Sequence, residues 1–473
     1  MVSFILPGNS ASGGYEVANS LRLNNDSSDY LVRSLGSQSS LRIGTFSYWV
    51  KRSSTDIGLI YFNEVENDNN RGYIQFENDG TWRMVDNDNS GDHIVLKTNR
   101  LFHDFGSWYH ICVRVDTTQS TSTDRVRLYV NGVQETSFSS TTYPSQNDDL
   151  KIFEGGQTNK NNLGAGYPES NYFDGYMAEF VYCDGQSLGP TSFGEFDEDS
   201  GIWKPIDVSG LTFGNNGFYL DFEDSSSLGN DAAGSNNFSV DNLTAIDQST
   251  DTCTNNYCTM NPLNVPTSNQ PTFSEGSLKT VSSSSASGAF GGSTTFGVSQ
   301  GKWYVEAKAT VGSTYSRNAI GVSYNPAEMA RSNADTQISN TSYAWGWESS
   351  GGEVRHDASA VASYATYATG DICQIFLDLD NHKLYFGKNG TLQSSTGISL
   401  DTGETYFIVQ TDRTGSSEVS TFEFNFGAGT TFSISSGNTD GEYGNFEYST
   451  TITGDGASKT FKALNTKNLA EYG

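Results

Sequence analysis

Apolar residues recur at every second position in short runs along most of this chain, the spacing of half-buried β-strands. Thr45-Phe46-Ser47-Tyr48-Trp49-Val50 sets Phe46, Tyr48 and Val50 on one face. Gly72-Tyr73-Ile74-Gln75-Phe76 and Thr81-Trp82-Arg83-Met84-Val85 flank Asn78-Asp79-Gly80, which predicts a hairpin. Trp108 to Val115, Arg125 to Val130 and Tyr176 to Tyr182 alternate in the same way. The run ending at Val130 meets Asn131-Gly132, a dipeptide suited to the positive φ angles of a two-residue hairpin turn. Strand patterning resumes at Gln300 to Ala307, Asn318 to Val322, Ser342 to Trp347 and Gly370 to Asp380. Lys383-Leu384-Tyr385-Phe386-Gly387-Lys388 then ends in a second Asn-Gly turn, Asn389-Gly390. Many short strands with turn punctuation predict an all-β protein built of antiparallel sandwiches.

The texture between these halves differs. Residues 201–271 are rich in Asn, Ser, Asp and Thr and read as a polar connector with one or two strands, with Pro262, Pro266 and Pro271 marking its end. The division expected is an N-terminal extension at 1–16, a first domain at 17–200, the connector at 201–271 and a second domain at 272–473. Whether the connector packs on the first domain or flexes is left open.

Composition agrees with the pattern. The core formers are 28 Phe and 25 Tyr against 5 Met, and 50 Gly supply turns. The 473 residues fit two large sandwiches, since such domains reach ~200–250 residues. With 27 basic against 55 acidic residues the formal charge is −28, which argues against nucleic acid as a partner. No apolar run approaches the ~18 residues of a membrane span. The start, Met1 to Gly8, is too short and uncharged for a signal peptide, so synthesis in a cytosol is expected. Five cysteines (Cys112, Cys183, Cys253, Cys258, Cys373) show no paired metal spacing.

The order of motifs carries resemblances. FSYWVKR (46–52), WYHICVRVD (108–116), RLYVNG (127–132) and FDGYMAEFVYCDGQSL (173–188) together resemble the concanavalin A-like (laminin G-like) lectin superfamily over 17–200. GKWYVEA (301–307), IGV (320–322), YAWGWESSGGEVRHD (343–357), GDICQIFLDLDNHKLYFGKNGT (370–391) and FNFG (424–427) resemble a SPRY (B30.2-like) domain over about 272–470. A Gly/Thr/Ser-rich insertion after Gly427 departs from that pattern. Both resemblances imply concanavalin A-like, jelly-roll β-sandwiches. Segments 184–205, 216–231 and 461–469 are similar to structural proteins of bacteriophages, marine ones in particular.

The polar residues offer few candidates for chemistry. The first resemblance includes glycoside hydrolases, whose retaining members need two carboxylates ~5–5.5 Å apart. The nearest run, Glu195-Phe196-Asp197-Glu198-Asp199-Ser200, has Ser200 where the last carboxylate belongs, so no catalytic residue is expected. Asp86, Asp88 and Asp92 begin like a calcium loop, but Lys97 stands where its closing carboxylate would be. They remain calcium candidates, and Asp221, Asp224, Asn230 and Asp231 form a second oxygen-rich cluster. No other cofactor is indicated. Neither G-x-S-x-G, H-E-x-x-H nor a phosphate-binding loop occurs. Tyr343, Trp345 and Trp347 share one strand face and are the ligand-binding candidates, as an aromatic platform for a sugar or as core.

The reading that joins these observations is a non-enzymatic virion protein, either tail fibre or capsid-attached decoration. It would be assembled in the host cytoplasm and bind other virion proteins or host-surface glycan. A glycoside hydrolase and a SPRY-type peptide-binding adaptor are the alternatives. A homo-oligomer is compatible with the sequence, which shows no coiled-coil heptads.

Overall fold

The alternating run around Tyr48 becomes the strand Ile43–Arg52, buried along nearly its whole length. Phe46, Tyr48 and Val50 enter one core while Trp49 on the opposite face enters another. The computed structural model describes residues 14–65, 69–155, 160–266, 270–282, 289–310, 318–331, 338–412, 419–429 and 431–473. Among these, the chain divides between Asn256 and Tyr257 into two units. Of the N-terminal extension, residues 1–13 lie outside the described residues.

The first unit holds two antiparallel eight-stranded sheets. One runs Val133–Glu135, Val126–Val130, Tyr109–Asp116, Ile43–Arg52, Gly175–Asp184, Ser20–Leu23 and Gln248–Ser249, with Phe218–Leu220 also on Gly175–Asp184. The other runs from Phe138–Thr142 through Gly91–Leu101, Thr81–Asp88, Arg71–Phe76, Gly58–Glu64, Lys160–Leu163 and Tyr30–Arg33 to Ser239–Asp241. Between them Tyr48 stacks on Phe180 at 5.0 Å and Phe46 on Tyr182 at 4.7 Å. Trp82 satisfies its indole N–H on the Tyr48 hydroxyl at 3.0 Å. Asn131 and Gly132 take φ values of 48° and 77°, as the hairpin required.

Residues 201–256, read from sequence as connector, are part of this unit. Three of the short strands in its two sheets come from there, and the hairpin Gly194–Phe196 with Trp203–Pro205 lies just before and within it. Trp203 and Cys253 pack with Trp49, Trp108 and Tyr176, while Val208 and Tyr219 pack with Cys112, Val181 and Cys183. The first sheet is therefore covered on both faces. Lys51, with 1% of its side chain exposed, pairs with Asp251 at 2.8 Å and pins the final stretch down. Arg22 does the same with Asp247 at 3.3 Å.

The second unit pairs a nine-stranded sheet with a six-stranded one. The six run Ala289–Ser293, Phe407–Asp412, Ala319–Ser323, Ala344–Glu348, Glu353–His356 and Ser359–Ser363. The nine centre on Lys302–Thr310, Ile372–Asp378 and Lys383–Lys388. Asn389 and Gly390 again show the left-handed pair, at 49° and 79°. The insertion after Gly427 folds as an outer layer, bringing Phe446 and Phe461 onto Tyr304, Phe376 and Tyr385. Buried Glu306 anchors it by accepting the N–H groups of Glu447 (3.0 Å) and Tyr448 (2.8 Å). All five cysteines are buried and unbridged, with Cys253 in the first unit and Cys258 in the core of the second.

If 201–256 is structural, Trp203→Ala should lower the urea-derived stability of the first unit by ~3–5 kcal/mol, the range for a buried large aromatic. A change within ~0.5 kcal/mol, the range of an ordinary surface substitution, would mean that this layer is dispensable.

Candidate functional site

An open cleft of ≈ 510 Å³ lies in the second unit, against the last three strands of the six-stranded sheet. Ala344–Glu348 contributes Trp345, Glu353–His356 contributes His356, and the edge strand Ser359–Ser363 contributes Val361 and Ala362. Pairing jumps from Val354↔Ala362 to Arg355↔Ala360, which leaves Val361 as the extra residue of a β-bulge. That residue is 45% exposed. The facing wall is Tyr364 and the stretch from Ser394 through Thr396, Gly397, Ile398 and Ser399 to Asp401. Ile398–Ser399 is held by pairing with Lys383 and Leu384, and Gly397 sits where any Cβ would strike the Tyr385 ring.

The His356 ring lies parallel to Trp345, centroids 4.1 Å apart with 6° between planes. Its Nδ1 donates to the Ala344 carbonyl at 3.0 Å, because a carbonyl oxygen can only accept. Trp345 is only 3% exposed and is backed by Tyr406 and Tyr324. The half-buried imidazole is thus the accessible plane and the indole its rigid support.

Sequence offered Tyr343, Trp345 and Trp347 as a sugar platform or as core, and the structure places both tryptophans in the core of the second unit. Trp347 is fully buried, packed on Tyr367 and Phe386. Tyr343 sits beside Tyr324 and a small cluster containing Met329 and Ile338. Of the three, Trp345 alone lines the cleft. His356, Tyr364 and Ile398 carry no sequence signal of their own, since the strand pairing that gathers them is nonlocal.

Family models decide what these units are. Residues 25–185 match the concanavalin A-like lectin/glucanases superfamily, and residues 302–422 match the SPRY domain. The chain is a tandem of a concanavalin A-like domain and a SPRY domain. Both are of binding type, which supports a carbohydrate- or protein-binding role. Similar solved structures include the SPRY domain of human HERC1, at 17% identity over 33% of this chain and 91% of that one, with a TM-score of 0.27. A native heptameric SAP-like pentraxin from Limulus polyphemus shows 15% identity over 48% and 94%, TM-score 0.32. The TRIM65 PSpry domain shows 13% over 36% and 91%, TM-score 0.27. No curated protein matches the chain. Among the described residues, no helix is long and apolar enough to cross a membrane.

In the concanavalin A-like domain the calcium candidates are taken up by a hairpin. Asp86 points inward and accepts the Ile152 N–H at 2.7 Å. Asp88 clamps the turn through Ser90 (2.7 Å to its N–H) and meets His93 Nε2 at 3.1 Å, while Asp92 is exposed opposite Asn87. Strand alternation and the turn thus give the three carboxylates separate tasks. Among the described residues no three acidic, His or Cys side chains converge as a metal site. Asp231 in the second cluster is likewise spent on the N–H groups of Tyr219, Ala233 and Asn236. Glu195 and Asp197 both pair with Lys204, and Asp197 also accepts the Ser200 N–H in the turn that follows.

Two further arrangements escaped the sequence. Ser47 Oγ lies 2.9 Å from His110 Nε2, the approach of a nucleophile to its base. Trp203 Nε1 donates to His110 Nδ1 at 3.0 Å, so Nε2 carries the proton and donates to the serine. That imidazole cannot take a proton from Ser47, and burial pushes its pKa down to about 3. Glu179, at a left-handed bulge position (φ 50°), is pushed by burial up to about 8, although the Tyr219 hydroxyl donates to it at 2.8 Å.

Asp86 yields a pH test. Burial pushes its carboxyl up to about 7 against the pull of the Ile152 N–H. An acid with a raised folded pKa adds stability below its unfolded value of ~3.9, and that stability is lost as pH rises through the folded value. The melting temperature of Asp86→Asn should therefore gain on the wild type from about pH 4 to about pH 7 and then level off. A gap that does not vary with pH would show that Asp86 is not titrating in this range.

Proposed function

We propose that the protein is a non-catalytic binding component of a bacteriophage particle, a tail fibre or a capsid-attached fibre, that engages host-surface glycan through the SPRY-domain cleft. The observation that carries the glycan reading is the pairing of a supported ring plane with a polar wall. His356, backed by Trp345, offers a flat face, and Ser394, Thr396, Ser399 and Asp401 offer hydrogen-bonding groups opposite it. A sugar ring has the same two-sided chemistry, an apolar C–H face and a hydroxyl rim. The cleft volume of ≈ 510 Å³ is in the range of small-molecule sites.

The virion assignment is supported by the phage-like segments at 184–205, 216–231 and 461–469. Many copies on one particle would raise a weak single-site affinity by avidity. Other virion proteins are the second class of partner, and the exposed edge strand Ser359–Ser363 beside the cleft favours an extended peptide for that role.

His356→Ala and Tyr364→Ala should each weaken binding to surface polysaccharide of the host by ~10-fold, about 1.4 kcal/mol, with melting temperatures close to wild type. Equal binding by wild type and both variants would remove the cleft from the function. Mass spectrometry of purified phage particles should find this chain among the virion proteins. Its absence from intact particles would end the virion reading, whatever the cleft binds.

A further inference from the structure

Lys51 does more than balance Asp251. Its Nζ donates to Asp251 Oδ2 at 2.8 Å and to the side-chain carbonyl Oδ1 of Asn256 at 2.7 Å. All three side chains are buried, with relative exposures of 1% for the lysine, 1% for Asp251 and 1% for Asn256. Tyr176 lies under the ammonium at 5.7 Å, and Trp108 donates to the other oxygen of Asp251 at 2.9 Å. The Asn256 amide is oriented from behind, its Nδ2 donating to the Gly106 carbonyl at 2.5 Å. An amine, a carboxylate and a primary amide are thus locked together in an aromatic enclosure.

We propose that Lys51 and Asn256 join in a side-chain isopeptide bond, with Asp251 moving the protons. The carboxylate of Asp251 takes one proton from the Lys51 ammonium across their 2.8 Å contact. The freed Nζ lone pair attacks Cγ of Asn256. The 2.7 Å hydrogen bond to Oδ1 seats Nζ beside that carbonyl, so a small shift from the oxygen toward Cγ begins the attack. The tetrahedral intermediate then passes a proton from Nζ to the amide nitrogen, through Asp251. The C–N bond to that nitrogen breaks and ammonia leaves, taking up the remaining proton as ammonium and returning Asp251 to carboxylate. No oxidant or cofactor is needed, and the product is lighter by one ammonia.

The second unit supplies a contrast. Lys459 pairs with buried Asp378 at 2.8 Å, but its further partner is the Tyr385 hydroxyl at 2.7 Å, which offers no carbonyl to attack. The placement at Asn256 has mechanical sense. That residue ends the first unit, so tension entering from the C-terminal side would otherwise peel the segment around Asp251 from the sheet. A covalent bond to Ile43–Arg52 passes the load directly to a central strand.

The test is the intact mass of the purified full-length protein under denaturing conditions, after allowing for loss of the initiator methionine. The expected mass is one ammonia below that of the sequence, with a peptide map that links the Lys51 and Asn256 peptides. Asp251→Asn should restore the full mass. Asn131-Gly132, Asn216-Gly217 and Asn389-Gly390 can also lose ammonia by cyclising, so Lys51→Arg, which keeps all three dipeptides, serves as the control. Full sequence mass in wild-type protein with native near-ultraviolet dichroism overturns the proposal. So does an ammonia loss that persists in Lys51→Arg or a map without the linked peptides. Because the wild-type peptide map decides by itself, the proposal stays testable even where a variant fails to fold.

Discussion

A lysine ammonium sealed inside a protein has to find its counter-charge there, because breaking such a pair leaves an uncompensated buried charge at a cost of ~3–5 kcal/mol. Lys51 meets this condition with Asp251, which lies 200 positions away in a stretch with no strong strand pattern. The pair ties the end of the returning chain to the first sheet. With it come Trp203 over His110, Cys253 against Trp49 and Trp108, and Thr254 bonded to Val17. A buried pair of this kind contributes little net stability against a hydrophobic replacement. Its effect here is register, since it admits one placement of the returning segment.

The second unit solves the same problem with a different group. The outward face of its central strands carries Tyr304 and Phe376, whose rings cannot face water without cost, with Glu306 beside them. The insertion after Gly427 covers them, and Glu306 acts as the fixed acceptor for two successive backbone N–H groups. Burial raises that carboxyl above the usual range, and the four donors around it pull the other way. In both domains a polar, turn-rich segment becomes an outer layer because a buried charged side chain in the sheet needs partners from it.

The cleft at His356 is a place where the SPRY domain leaves apolar surface uncovered beside polar groups. The bulge at Val361 and the glycine at 397 are local departures that shape it, one turning a side chain outward and the other letting a loop approach Tyr385. Departures from ideal strands at a sheet edge commonly mark binding surfaces. Their position agrees with a binding role for the domain.

Alternation along each strand is a local property, so the sequence by itself determined the all-β class, the two hairpin turns at Asn131-Gly132 and Asn389-Gly390, and the tandem of two domain types. It also offered Trp345 as a candidate, because strand alternation sets it on one face with Tyr343 and Trp347. The tertiary structure alone decided that His356 is the half-buried partner of Trp345, since that depends on which strands neighbour Ala344–Glu348. It alone turned residues 201–256 from connector into layer. The apolar anchors there, Trp203, Phe218, Phe238 and Leu243, are too widely spaced to show a period. What holds the stretch is burial of single side chains and charge pairing across 200 residues, and neither leaves a mark on local pattern.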